Sequence, residues 1–155
     1  MLGESPFGMI LIDCARLLRA RFDRALDDAQ LGLTAGEARA LVYVCRHPGS
    51  RQSVLATHMW VEPMTLVGFL DRLEARGLVV REPDPADRRA KIVRPTAQAE
   101  PLVQHVIEAF RKERESAMAD LSAEEILQLK DMLSRLRNRM IADDSGGPGR
   151  GGAGQ

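Results

Sequence analysis

"REPDPADRRAKIVRPT", residues 81–96, decides how the rest of this chain is read. Arg88, Arg89, Lys91 and Arg94 fall within seven positions, behind a loop marked by Pro83 and Pro85. "LVVRE" (78–82) leads in and "RAKIVR" (89–94) leads out, alternating as strands do, while almost everything around them reads as helix. The expectation is a β-hairpin with both prolines in its loop, because proline cannot sit in a central strand. A rigid ribbon tipped with guanidinium groups suits a narrow DNA minor groove, where negative potential concentrates. The alternative is a solvated loop carrying ordinary surface charge.

Upstream of the hairpin, residues 52–76 have the form of a helix-turn-helix: a short helix (52–58), a brief turn, and a second helix (62–76) ended by Gly77. Leu66, Val67, Leu70 and Leu73 make the apolar stripe of the second helix. Its opposite face carries Thr65, Gly68, Phe69, Arg72 and Arg76. A helix so presented fits the major groove, where base edges are read. A plain amphipathic helix is the competing reading. A helix-turn-helix followed at once by a charged hairpin is rarer by chance than either part alone.

Further out, Phe7, Ile10, Leu11, Cys14, Leu17, Leu18, Phe22, Ala25 and Leu26 recur at helical spacing, giving a long amphipathic helix over 7–30. Thr34 and Glu37 form a capping box that opens a helix running to His47, before Pro48-Gly49. After Thr96 come helices at 97–119 and 122–142, the second opened by the Ser122–Glu125 box. Ile126, Leu129, Leu133, Leu136 and Met140 form a seam of coiled-coil type that calls for a partner helix. Residues 143–155, rich in glycine, are expected to be a disordered tail. The fold class is therefore mainly α with a small β-hairpin wing. A winged helix-turn-helix lobe (34–96) joins a helical dimerisation region (7–30 and 97–142).

Lys+Arg and Asp+Glu both total 22, so net charge alone does not point to nucleic acid. Its distribution does: basic over acidic residues run 6 to 6 in 1–49, 8 to 6 in 50–96, and 8 to 10 in 97–155. No apolar run approaches the roughly 20 residues of a membrane span. Cys14 and Cys45 have no metal-ligand spacing, and with no secretory signal in view a cytoplasmic protein is expected. His47, His58 and His105 are scattered and no nucleophile–base or phosphate-loop pattern occurs, so neither an enzyme, a metal nor a cofactor is expected.

"FLDRLEARGLVVREPDPADRRAKIVRPT" (69–96) resembles the signature of the MarR-type winged helix-turn-helix transcription regulators, with a weaker likeness over 6–142. "SPFG" near the start and "TAQAEPL" after the wing look closest to the SlyA-like branch. The resemblance implies a homodimer with interlocked terminal helices and two winged lobes on double-stranded DNA. It places the recognition helix at 62–76. It makes Arg88 and Arg89 wing arginines, with Arg89 in the minor groove and Asp87 as the residue orienting it. Thr65, Gly68, Phe69, Arg72 and Lys91 complete the expected DNA contacts. Phe7, Ile10, Leu11 and Phe110 join the 126–140 seam at the expected dimer interface.

The resemblance further implies a repressor released by a small aromatic acid, with Arg16, Arg21 and Tyr43 as candidate pocket residues. Two alternatives stay open: a protein–protein adaptor reusing the winged fold, and redox sensing through Cys14. The sequence departs from the family at Trp60, where the turn usually has glycine, and at Gly68, where a polar or basic residue is common.

Overall fold

The computed structural model describes residues 6–146, which divide into two compact units with the boundary after Ser116. In the first unit, helix α1 spans Phe7–Asp28 and buries only Leu26. Its N-terminal half leaves Phe7 and Ile10 more than half exposed. Helix α2 (Ala35–Arg46) is the centre of the core, with Ala38, Ala40, Leu41 and Val44 wholly buried. The capping box forms as its sequence requires: Thr34 Oγ1 accepts from the Glu37 amide at 3.2 Å, and Glu37 Oε2 accepts from the Thr34 amide at 3.1 Å. Asp23 of α1 adds a further cap, its Oδ1 accepting from the Ala35 amide at 2.6 Å. Helix start and helix–helix packing are thus set together.

A strand not expected from the sequence follows. Ser50–Arg51 forms β1, then α3 (Gln52–Met59) and α4 (Pro63–Ala75) make the helix-turn-helix. Pro63 opens α4 at a position where a missing amide hydrogen costs nothing. Leu66, Leu70 and Leu73 bury its inner stripe. Gly77 ends it at φ +69°, in the left-handed region, and the Leu78 amide closes on the Leu73 carbonyl at 3.0 Å.

Strands β2 (Val79–Pro83) and β3 (Lys91–Pro95) are the hairpin, and the sheet order is β1-β3-β2, antiparallel throughout. Ser50 pairs with Val93 and Arg51 with Ile92, so β1 covers the outer side of β3. A two-residue strand has too few residues to show alternation, which is why only the fold reveals it. Pro83 also differs from expectation: it pairs with Lys91 at the end of β2 rather than lying in the loop. It is tolerated because β2 is an edge strand, where an absent amide donor goes unused.

Helix α5 (Ala99–Ala117) closes the unit, burying Ala99, Val103 and Val106. The second unit holds α6 (Ala123–Gly146), opened by the Ser122–Glu125 box, in which the Ser122 amide donates to Glu125 Oε2 at 2.7 Å. Its Ile126, Leu129, Leu133 and Leu136 are half-buried and Met140 is exposed. The helix runs four residues beyond the expected end at 142, into the expected tail; the rest of that tail, 147–155, lies outside the described residues. Among the described residues, no helix is long and apolar enough to cross a membrane.

The turn between α3 and α4 is made by Trp60 at φ 55° and ψ 46°, a left-handed conformation held by a side-chain-bearing residue. Such a residue costs about 1–2 kcal/mol there, whereas glycine does not. Trp60→Gly is therefore expected to raise the midpoint of thermal unfolding followed by circular dichroism. A lowered midpoint would mean that the half-exposed indole contributes more than the backbone strain removes.

Candidate nucleic-acid interface

Eight basic side chains lie in residues 50–96, and the fold sorts them. Arg51 pairs with Asp84, where the hairpin loop begins. Arg72 pairs with Glu37. Arg76 donates to the carbonyls of Gly32 at 2.7 Å and Leu31 at 3.1 Å. Arg81 reaches Asp71 and Glu74 of α4, each at 2.6 Å, and Arg94 meets Glu82 at 3.5 Å. Arg88, Arg89 and Lys91 are left exposed at the hairpin tip, with no ion pair or side-chain hydrogen bond to a described residue. The local basic excess is small in count, but the internal pairing concentrates it at one point.

The wing tip is built by its own carboxylates. Asp84, only 8% exposed, accepts from the Ala86 amide at 2.9 Å and holds Arg51. Asp87 Oδ1 accepts from the Arg89 backbone amide at 3.1 Å. Asp87 therefore shapes the turn that carries Arg89, where sequence reasoning expected it to pair with the guanidinium. An aspartate two residues before an amide favours this local ring over a flexible side-chain pair. Below the tip, the Arg81 bridge fastens β2 to α4. Hydrogen bonding to Arg81 holds the Glu74 carboxyl below the usual carboxylate range.

On α4, Thr65 is exposed and Gly68 part-exposed on the outer face. Phe69 is not on that face: its ring turns inward and lies against Gly36 of α2, where a Cβ would overlap it. The expected DNA contact by Phe69 is thus replaced by packing, because the glycine on α2 leaves the ring a seat. Arg72 lies 5.7 Å over the Phe69 ring and spends its Nε on Glu37, leaving only its outer guanidinium nitrogens for a ligand.

Within the first unit, α1, α2, α4 and α5, with the end of α3, line an apolar crevice of about 500 Å³. Phe22, Met59, Phe69 and Phe110 line it, and Arg19 and Arg39 bring charge to it. The pocket residues named from the sequence lie elsewhere. Arg16 is exposed and faces Asp13 at 4.0 Å, and Arg21 is taken by Glu113 at 3.3 Å. Tyr43 stacks toward His47 at 6.4 Å, under Arg39. Arg21 sits about 160° around α1 from Arg19, whereas Arg16, on the same side as Arg19, lies nearly a turn closer to the N-terminus and outside the lining. Phe110, assigned to the dimer interface, packs on Phe22 of the same chain at 4.3 Å between ring centres.

Cys14 is exposed rather than buried as a small hydrophobe. Burial, and then the charge of Glu100, raise the Cys45 thiol, which disfavours its reactive thiolate. Among the described residues no group of three or more metal-type ligands is assembled.

The model of the MarR family matches residues 33–91, from the capping box through the wing tip to Lys91. Residues 33–91 thus match the MarR-family winged helix-turn-helix. Of the solved structures similar to the chain, MarR itself superposes with a TM-score of 0.81 at 27% identity, over 94% of this chain and 97% of that one. The transcriptional regulator SlyA does so at 0.77 and 28%, over 86% and 95%. The transcriptional repressor CouR, solved bound to a 23-mer DNA duplex, matches at 0.79 and 24%, over 88% and 97%, a likeness of fold. MarR-family structures thus share the architecture well beyond the lobe, and the family is one of transcription regulators rather than enzymes.

The MarR-type wing depends on Asp84. The Ala86 amide first, and Arg51 after it, hold its carboxyl below the ordinary range. Its contribution is therefore complete above the unfolded value, about 3.9, and is lost as pH falls through the lowered folded value. In Asp84→Ala the Ala86 amide should exchange faster than in wild type at neutral pH, with the difference shrinking in strong acid. Equal exchange at neutral pH would show that the turn stands without this carboxylate.

Proposed function

We propose that this chain is a homodimeric DNA-binding regulator that represses transcription from a pseudo-palindromic operator and is released by a small aromatic acid. The observation that carries this reading is the charge pattern: three unpaired cations at the tip of a ribbon braced against the helix-turn-helix. Arg89 enters the minor groove, Arg88 and Lys91 hold flanking phosphates, and the outer face of α4 lies in the major groove. CouR, a repressor with the same fold that was solved bound to a 23-mer DNA duplex, supports DNA as the partner.

Dimerisation is supported by apolar surface that one protomer leaves open. On α1, Phe7 is 64% exposed, Ile12 68% and Leu17 54%. On α6 the Ile126–Met140 stripe contains no fully buried side chain. A dimer sets two lobes for half-sites roughly 34 Å apart, one helical turn. The crevice supports the effector: an apolar slot suits an aromatic ring, and Arg19 and Arg39 suit its carboxylate. Such a ligand would act between α1, α5 and the inner side of the recognition helix, in the cytoplasm where the operator lies.

Selection of bound sites from random duplex DNA at fixed salt should enrich an inverted repeat. Arg88→Ala/Arg89→Ala should weaken binding to operator and unrelated DNA alike, and lower the logarithmic salt slope by about 2. An unchanged slope would remove the wing from the interface. A monomer by light scattering at micromolar concentration would overturn the dimer. Failure of benzoate-type acids to lower operator affinity would overturn the effector.

A further inference from the structure

Gly68 sits in the interior of α4, where glycine is the least favourable helix residue after proline. Two explanations internal to the fold are available, a backbone conformation that only glycine adopts and a close neighbour that forbids a Cβ. Neither applies. Gly68 is absent from the positive-φ residues of the described chain, and a Cβ there would meet nothing nearer than Arg72 Nη1 at 3.7 Å. Gly36 gives the contrast, because there the Phe69 ring occupies the place of a side chain. No backbone conformation or close contact within the described protomer therefore requires glycine at 68.

At 100° per residue, Met64, Thr65, Gly68, Asp71 and Arg72 fall within an arc of about 120°, with Gly68 at its middle. Asp71 is held by Arg81 at 2.6 Å, and Arg72 is held by Glu37. Met64, by contrast, is 77% exposed, the most exposed large apolar side chain of the described protein. The centre of the recognition face is therefore a bare backbone dimple bordered by the Met64 thioether and the Thr65 side chain. Its middle carries no side chain, and the nearest one is Arg72, whose Nε is held by Glu37 and whose Nη1 lies 3.7 Å from where a Cβ would stand. Such a surface reads a base edge by shape and apolar contact, and the apolar feature of the major groove is the thymine 5-methyl group.

We propose that Gly68 is the point of closest approach to the DNA, and that it seats the 5-methyl of one thymine in each half-site against Met64 and Thr65. This rests on the operator-binding reading above, and it makes Gly68 and Met64 specificity-determining residues. Glycine admits the methyl because any Cβ occupies its place.

The test uses the full-length protein and the operator found by site selection, with each thymine replaced in turn by uracil, which differs only in lacking the methyl. One symmetric position should lose about fourfold in affinity per half-site, the value of one buried methyl. Gly68→Ala should raise the thermal midpoint, because alanine is the better helix former, yet bind the normal operator at least about fourfold more weakly. It should also be indifferent to uracil at the sensitive position, the signature of a shared contact. Met64→Ala, altering only an exposed side chain, should weaken binding with the midpoint unchanged. Uracil tolerated at every thymine, or wild-type affinity in Gly68→Ala, overturns the inference while leaving operator binding standing. If no operator is enriched, the regulator reading fails and this inference falls with it.

Discussion

The Glu37 carboxylate, 6% exposed, joins the two helices on which the DNA-reading geometry depends. One oxygen accepts from the Thr34 amide and fixes where α2 begins; the other accepts from Arg72 and fixes how α4 lies against α2. A carboxylate this enclosed is tolerated only when both oxygens are satisfied, and breaking either contact leaves a buried charge without its partner. The Phe69 ring, seated on Gly36 and covered by Arg72, fills the adjoining space. Helix start, helix packing and recognition-helix tilt are therefore one problem with one solution.

The same economy governs the wing. Arg51–Asp84 ties the hairpin to the strand before the helix-turn-helix, and Arg81 with Asp71 and Glu74 ties it to the recognition helix. Partly enclosed pairs of this kind specify geometry more than they add stability. Their second effect is electrostatic. Each arginine neutralised within the fold is removed from the surface field, so the field at the tip comes from Arg88, Arg89 and Lys91. A chain of zero formal net charge can thus offer DNA a small, rigid cationic point.

The crevice and the recognition helix share side chains. Thr65 and Phe69 belong to α4 and also line the cavity that α1, α2 and α5 complete. Whatever occupies that cavity presses on the inner side of the helix whose outer side carries Gly68 and Met64. A change of ligand on one side can alter the fit on the other only through differential contacts in two states, and Phe69 is placed to make them.

Periodicity and caps are local properties, and they were legible in the chain: the helices that the structure places at 7–28, 35–46, 52–59 and 63–75, within two residues of their expected bounds, the Thr34 and Ser122 boxes, Gly77 as a stop, and the alternating hairpin. The family resemblance was carried by the same local stretch, "DRLEARGLV" with "DPADRRAK", and the family model ends on that tip. What the sequence could not show is which charges are spent. Arg72 and Arg89 look alike in a string of letters, yet one is tied by its Nε to a glutamate 35 positions away and the other has no side-chain partner among the described residues. The inward turn of Phe69, the capping of α2 by Asp23, the short strand β1 and the lining of the crevice by Arg19 and Arg39 belong to the same class. Local spacing determines where helices and turns begin and end, because their hydrogen bonds close within a few residues. Only the tertiary structure decides which side chains remain for a partner, because that depends on neighbours the chain brings together from far apart.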